Sequence, residues 1–309
     1  MITAERRILL VHAHPDDESI GNGALMARYV AEGVHVTLVT CTRGEMGEVL
    51  VPELGHLAYD KAGGLGEHRV GELAAAMAEL GVTDHRFLGG PGRYHDSGMS
   101  WHENGSATVA ADVPPGAFWS ADLREAADHL VKVLREVRPQ VLVTYDDIGG
   151  YGHPDHVQAH RVATYAVALA AAPSYRPDLG PAWDVAKVYW NANAESGMRD
   201  MLRALRAAGD NDTLGGLDPE GPLPAFCVPD ELLTAAVDGS SYVQAKLAAM
   251  RAHATQIQSD GPFFSMLDHF GDAAWATEHF RLVKGKAGPL DAASGLETDL
   301  FAGLDLAGQ

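Results

Sequence analysis

The sequence predicts an α/β fold, in which a Rossmann-like, mostly parallel sheet carries helices on both faces and a C-terminal elaboration follows. Short β-branched runs alternate with stretches of helical period through the first half of the 309 residues. Two long polar loops, 42–68 and 89–119, leave the predicted strand ends, and the alternation weakens after Pro173. We therefore expect a single domain, with a core at 1–190 and the elaboration at 191–309.

A first βαβ unit is predicted at the N-terminus. The apolar run Arg7–His12 indicates a strand, and the amphipathic stretch 20–32 indicates a helix. Gly33 suits the left-handed position that often follows a helix. The segment 34–40 (VHVTLVT) is rich in β-branched residues, which favours a second strand.

The middle of the chain continues this alternation. We expect a helix at 69–80, ended by Gly81, and a short strand at 85–88. Ser120 is predicted to cap a further helix, since its hydroxyl would accept a free backbone amide. The apolar positions of that helix recur at helical spacing and are Leu123, Ala126, Ala127, Leu130, Leu134 and Val137.

Two more strands, at 140–144 (QVLVT) and 185–190 (VAKVYW), flank a helix predicted at 156–171. The elaboration is expected to hold two helices and a loop rich in Gly, Pro and Asp, at 195–208, 241–254 and 209–229. In such sheets, ligands bind beyond the carboxyl ends of the strands.

Composition excludes several classes of partner. Lys and Arg number 23 and Asp and Glu 42, so the formal net charge is −19, which argues against nucleic acid and anionic membranes. No run approaches the roughly 18 apolar residues of a membrane helix, and the N-terminus lacks a signal-peptide pattern. The two cysteines, Cys41 and Cys227, are expected to be reduced thiols, so we expect a cytoplasmic protein.

Two similar segments follow predicted strands, HPDD at 14–17 and HPDH at 153–156. Two imidazoles and a carboxylate at such strand ends suit a catalytic zinc with an open position for water. Asp16, His153 and Asp155 would remain for a base, an electrophile and an orienting partner. Alternatively, HPDD is only a polar turn with an Asp cap. His12 is expected to be a hydrogen-bonded strand histidine.

A nicotinamide-dependent oxidoreductase is the competing enzyme class, but it fits poorly. The segment 21–26 resembles the start of G-x-G-x-x-G, yet its sixth position is Met26. Asp16, Asp17 and Glu18 stand where a pyrophosphate needs a positive helix terminus.

The motifs AHPDDE and GGYGHPDH resemble those of the zinc-dependent N-acetylglucosaminyl deacetylases called LmbE-like. The likeness continues through VTCTRGEMGEV, HRVGEL, HATQ and ETDLFAGL, so it spans nearly the whole chain. RYHDSGM and Gly152 resemble the branch that removes acetate from N-acetylglucosaminyl-inositol in mycothiol biosynthesis. Amidases of mycothiol S-conjugates, the close alternative, typically carry Pro in place of Gly152. Asp147-Ile148 departs from both groups, which usually have Asn before the two glycines.

The resemblance implies a role for each site residue. The zinc ligands would be His14, Asp17 and His156, with Fe²⁺ as an alternative metal. Asp16 would be the general base, a protonated His153 would steady the acetyl oxygen, and Asp155 would orient His153. Tyr151 would reach the intermediate from a mobile loop. Contacts to the hydroxyls of a small glycoside are implied for Arg69, Asp96 and Glu48. Retention of a separate base disfavours the remaining alternative, a non-catalytic sugar- or metal-binding module.

Overall fold

The computed structural model describes residues 5–102 and 106–305. Its strands are β1 Arg7–His12, β2 His35–Thr40, β3 Asp84–Phe87, β4 Met99–Trp101, β5 Ala107–Val109, β6 Val141–Thr144, β7 Lys187–Ala194, β8 Cys227–Val228, β9 Ala235–Asp238 and β10 Thr277–Lys284. Its helices are α1 Asp17–Ala31, α2 Leu65–Leu80, α3 Leu123–Val137, the single turn α4 Gly149–Gly152, α5 Pro154–Ala171, α6 Glu195–Ala207, α7 Val243–Ala252 and α8 Pro262–Phe270.

The central sheet has the order β3-β2-β1-β6-β7-β10-β9. Its strands run parallel from β3 to β7, and β10 pairs antiparallel with both β7 and β9. β8 pairs in parallel with the last two residues of β7. β4 and β5 form a separate hairpin within the long loop 89–119. The predicted α/β fold with a mostly parallel sheet is confirmed.

Both faces of the sheet are covered, because successive side chains of a strand point to opposite sides. In β1, Leu9 and Val11 pack into a core with α3 and α5. Ile8 and Leu10 pack into a second core with α1, α2 and α7. A buried strand between two helical layers explains why β1 is apolar at consecutive positions.

Helix starts are where the structure differs most from the sequence-based bounds. α1 begins at Asp17 and α2 at Leu65, earlier than the expected residues 20 and 69. Ser120 does not cap α3, because it lies in a short 3₁₀ turn. Asp122 is the cap, and its carboxylate accepts the backbone N–H of Glu125 at 2.8 Å.

The C-terminal part completes the same sheet. β9, β10 and α8 were not predicted, and the expected boundary at residue 190 falls inside β7. A fully buried ion pair joins Lys187 of β7 to Glu297, whose other oxygen accepts the hydroxyl of Tyr189 at 2.7 Å. No helix within the described ranges combines the length and apolar character needed to cross a membrane.

Candidate active site

The HPDD and HPDH segments meet at one point of the sheet. β1 pairs with β2 on one side and with β6 on the other. The helix after β1 packs on one face and the helix after β6 on the opposite face. Chain crossovers that leave in opposite directions open a crevice at the carboxyl ends of the strands. Both segments therefore lie where an α/β sheet places its ligands.

The structure brings the three expected metal ligands together. Nδ1 of His14 lies 3.4 Å from one oxygen of Asp17, and Nε2 of His156 lies 3.4 Å from the other. Nε2 of His156 is buried and has no hydrogen-bond partner within the described part of the chain. A buried nitrogen without a partner costs free energy unless a ligand satisfies it. The donor set therefore fits a divalent cation such as Zn²⁺.

Two further donor sets overlap with these ligands. One consists of His14, His153 and His156, the other of His14, Asp96 and Asp155, and the donor atoms of each set lie within 4.8 Å of one another. All of these side chains are buried. A catalytic zinc uses three protein ligands and keeps an open position. The cluster thus contains more donors than a metal needs, so some of them remain available for proton transfer or for hydrogen bonds to a substrate.

Burial and neighbouring carboxylates have opposite effects on the pKa values of the two imidazoles. Burial lowers the pKa of His14, but three carboxylates outweigh burial and bring the pKa well above its usual value. They belong to Asp96, Asp155 and Asp17. Burial lowers the pKa of His156 to about 4, against the opposing charge of Asp17. His156 is therefore neutral and free to bind a metal, whereas a metal would displace a proton from His14.

Asp16, the expected base, is held in an unusual backbone conformation. Its φ of 121° is rare for a residue other than glycine and costs on the order of 1–3 kcal/mol. Its backbone N–H donates to Glu18 Oε2 at 2.9 Å, and its Oδ2 accepts Nη2 of Arg69 at 3.0 Å. Burial raises the pKa of Asp16 to about 7, although the charge of Arg69 opposes this shift.

Arg69 is buried against the HPDD turn rather than exposed at the surface of the crevice. The side chain is 3% exposed, and its guanidinium donates to the carbonyl oxygens of Pro15 and Gly44 as well as to Asp16. Nε of Arg69 has no hydrogen-bond partner in the described ranges. The contact expected from the sequence was with substrate hydroxyls, but the observed contacts hold the HPDD turn.

Burial favours the neutral form of His153, whereas the resemblance implies a protonated imidazole. Burial lowers its pKa to about 3, and the charge of His14 adds to this shift. Nδ1 of His153 accepts the backbone N–H of Asp155 at 3.1 Å. The ring proton of a neutral His153 is therefore on Nε2, so the imidazole keeps one donor.

The backbone N–H of Asp155 contacts His153, as described above, whereas its carboxylate contacts His14. Oδ2 lies 3.3 Å from Nε2 of His14 and accepts the backbone N–H of Ser97 at 2.9 Å. The hydroxyl of Ser97 donates to Oδ1.

Asp96 and Glu48 lie at different depths. Asp96 is buried, with Oδ1 3.6 Å from Nε2 of His14, and it also makes the Asx turn to Gly98 N–H at 2.8 Å. Its Oδ2 accepts the backbone N–H of Met46 at 3.1 Å. Glu48 is exposed and lines a 410 Å³ cavity that adjoins Met46. Asp96 thus belongs to the cluster, and Glu48 lies outside it.

Tyr151 closes one side of the cluster. Its ring centroid lies 5.1 Å from that of His156 and 6.2 Å from that of His153. Asp146 anchors this loop, accepting the N–H of Gly150 at 2.7 Å. Burial raises the pKa of Tyr151, so its hydroxyl stays protonated. The Asp147-Ile148 departure leaves this anchor in place, since both side chains are exposed.

Sequence reasoning missed two supports of the cluster. The hydroxyl of Tyr145 donates to Asp17 at 2.7 Å, and its ring stacks on His156 at 4.3 Å. His253 contacts Glu18 at 2.8 Å, behind Asp16. Tyr145 directly follows a strand, and His253 starts the HATQ segment, so both carried a signal.

Comparisons with known proteins identify the family of the chain. The family model PIG-L, GlcNAc-PI de-N-acetylase, matches residues 9–167. A 1D-myo-inositol 2-acetamido-2-deoxy-alpha-D-glucopyranoside deacetylase of Nocardioides sp. is 69% identical over 98% of this chain and 100% of its own length. The protein of that name in Kribbella flavida is 64% identical, over 97% and 98%. The solved N,N'-diacetylchitobiose deacetylase of Pyrococcus horikoshii shares the fold, with a TM-score of 0.58 at 22% identity over 91% of this chain and 84% of that one. The chain belongs to the PIG-L family of GlcNAc-PI de-N-acetylases, the LmbE-like family that its HPDD and HPDH motifs predict.

Proposed function

We propose that this protein is a metal-dependent hydrolase that removes the N-acetyl group from N-acetylglucosaminyl-inositol. The observation that carries the proposal is the convergence of His14, Asp17 and His156 beside a separate carboxylate, Asp16. The substrate is suggested by full-length relatives that are 69% and 64% identical and bear the name of that deacetylase. The proposed location is the cytoplasm, and the proposed partner is a small glycoside.

His14, Asp17 and His156 would hold the metal, for which we propose Zn²⁺. When bound, a zinc ion polarises the acetamide carbonyl and lowers the pKa of a bound water to about 7. Neutral imidazoles and an ionised carboxylate are the ligand forms that zinc prefers. The low pKa values of His156 and Asp17 support this assignment.

Asp16 is proposed to take the proton from the attacking water. A general base works best when its pKa lies near the operating pH, and burial brings the pKa of Asp16 to about 7. Arg69 fixes the carboxylate through its contact with Oδ2 at 3.0 Å. The water adds to the carbonyl carbon, its proton goes to Asp16, and the C–N bond then breaks.

Nε2–H of His153 is proposed to donate toward the oxygen that gains negative charge. Such a preorganised donor is typically worth roughly 3–4 kcal/mol in the transition state. A neutral imidazole is sufficient for this role, because Nδ1 is already occupied by the backbone N–H of Asp155. The departing amine takes a proton from Asp16, which returns the base to its starting form and leaves acetate and glucosaminyl-inositol with a free amino group.

We also propose that the chain forms one domain. The support is the continuity of the sheet, since β9 and β10 from the C-terminal region pair alongside β7. A boundary at residue 190 would cut through β7.

The proposed function is tested by rates of acetate release from N-acetylglucosaminyl-inositol and of amide cleavage in a mycothiol S-conjugate. We expect faster turnover of the inositol glycoside by the zinc-loaded protein. Chelator treatment should abolish the activity, and added zinc should restore it. Faster cleavage of the conjugate would assign the protein to the amidases, and binding without turnover of either compound would indicate a non-catalytic module.

A further inference from the structure

Trp101 is an aromatic side chain that the proposed chemistry does not use. It ends β4 and pairs with Ala107 of β5 in the hairpin outside the central sheet. At 60% exposure it is the most exposed large apolar side chain of the described residues. Tryptophan normally buries 150–250 Å² of surface, so an exposed indole leaves a large apolar face in water.

The ring of Tyr151 lies between the indole and the histidines of the cluster. Its centroid is 6.0 Å from the ring of Tyr151, and the two planes are inclined by only 23°. Tyr151 in turn contacts His156, at 5.1 Å between ring centroids. The rings thus form a series that leads from the metal-capable cluster to the solvent.

The site itself fixes the position of this hairpin. Ser97, which precedes β4, is hydrogen-bonded to the buried carboxylate of Asp155. Ala107 of β5 packs so closely on Gly152 that a β-carbon there would lie 2.6 Å from the Ala107 carbonyl oxygen. Because both strands are tied to catalytic segments, Trp101 is held relative to the metal ligands.

We propose that Trp101 determines specificity by stacking on the C–H face of the ring that is joined to the acetylated sugar. This inference rests on the proposed function, in which that second ring is a cyclic polyol. Such a ring carries hydroxyls around its rim and leaves apolar C–H patches on its faces. When the acetamide lies at the histidines, the glycosidic partner extends outward, where the exposed indole lies.

The inference is tested with Trp101→Ala and Trp101→Phe on two substrates, N-acetylglucosaminyl-inositol and methyl N-acetylglucosaminide, which lacks the second ring. A stacked aromatic contact contributes affinity beyond the area that it buries, so Trp101→Ala should raise KM for N-acetylglucosaminyl-inositol about fivefold. Its kcat should change by less than about twofold, and KM for the methyl glycoside should not change. Trp101→Phe should recover most of the affinity.

A purely structural role for Trp101 predicts a different result. If the indole only immobilised Tyr151, Trp101→Ala would lower kcat for both substrates, and that outcome overturns the proposal. Tyr165→Ala removes another aromatic that is 53% exposed, on α5, and should leave both substrates unaffected.

A binding measurement keeps this inference separate from the proposed activity. The metal-free protein is titrated with N-acetylglucosaminyl-inositol while tryptophan emission is recorded. The emission change should be lost in Trp101→Phe, although four other tryptophans remain of the five in the chain. An identical change in both proteins contradicts the proposal. Absence of turnover in the wild type would refute the proposed function without affecting this readout.

Discussion

At the scale of single residues, the position of Asp16 is determined by the local sequence and its pKa by the surrounding structure. Its position between two metal-ligand candidates is encoded in HPDD, but its reactivity comes from residues far along the chain. Arg69 of α2 holds Oδ2, and His253, at the end of α7, lies behind it through Glu18. Burial and these charges together bring the pKa of Asp16 to about 7. Three separate segments of the chain thus determine the pKa of the proposed base.

Replacing Asp16 with Asn should leave the metal site intact while removing the base. We expect the metal content to stay unchanged and kcat to fall by on the order of 10²–10⁴, the usual contribution of a general base. Metal content is measured by mass spectrometry and turnover by acetate release. Asp260→Asn, a change at an exposed carboxylate, should leave both unchanged. Near-normal turnover of Asp16→Asn would exclude this residue as the base.

His14 makes metal binding depend on pH. In the metal-free protein its pKa is raised well above the usual value, so it is protonated at neutral pH and must lose that proton when it binds a metal. Affinity should therefore fall as pH falls, by about tenfold per pH unit while His14 stays protonated in the free form. His156, with a pKa of about 4, adds no proton near neutrality.

Calorimetry in buffers of different ionisation enthalpy counts this proton. The Asp16→Asn variant is the suitable background, because Asp16 titrates near pH 7 and would add its own proton. We expect about one proton released per Zn²⁺ bound near pH 6, where a zinc-bound water with a pKa of about 7 keeps its proton. Release of none would contradict the protonated state of His14.

At the scale of elements, the loop α4 connects backbone geometry with catalysis. Gly152 has φ of +97°, and a β-carbon there would lie 2.6 Å from the carbonyl oxygen of Ala107. Gly152→Ala should therefore displace Tyr151 and lower kcat about tenfold or more, since misplaced catalytic groups lose rate steeply. Metal content should be retained. Gly71→Ala, on the exposed face of α2 with open space around it, should keep full activity and stabilise the helix by up to about 1 kcal/mol. Equal activity of the two variants would show that the loop tolerates the change.

The elements themselves were predictable where one physical pattern dominates. β1, β2 and β6 are short runs buried on both sides, so their apolar and β-branched residues mark them clearly. β10 (TEHFRLVK) alternates polar and apolar residues weakly, and its place is set by pairing with β7 across a long separation. The meeting of the HPDD and HPDH segments was predictable because both motifs follow parallel strands. The contacts of Arg69 and Asp155 were not, since they depend on how distant loops pack.

At the scale of the whole molecule, the negative charge favours cation binding at the crevice, and the sheet topology supports the crevice from behind. The net charge of −19 attracts cations and repels nucleic acid, while a neutral glycoside is indifferent to it. The acidic residues of the crevice, Asp16, Asp17, Asp96 and Asp155, concentrate that field where a metal would bind. The C-terminal strands contribute by extending the sheet beyond β7, and α7 carries His253 to the back of the site. The catalytic half therefore depends on the C-terminal half for its support.

The buried pair Lys187–Glu297 tests whether the two halves unfold together. Nζ of Lys187 lies 2.6 Å from Glu297 and also donates to the carbonyl oxygen of Ala302 at 2.7 Å, and both charged side chains are fully buried. Lys187→Met would leave the carboxylate uncompensated, which should lower the free energy of unfolding by about 3–5 kcal/mol. Lys284→Met breaks an ion pair whose lysine is 38% exposed and should cost less than about 1 kcal/mol. In urea, we expect tryptophan emission and far-ultraviolet circular dichroism to follow one transition in both variants, shifted much further in Lys187→Met. A separate early transition of the C-terminal region, with the midpoint of the main transition unchanged, would contradict the single domain. Loss of the ion pair would then unfold only one part of the sheet.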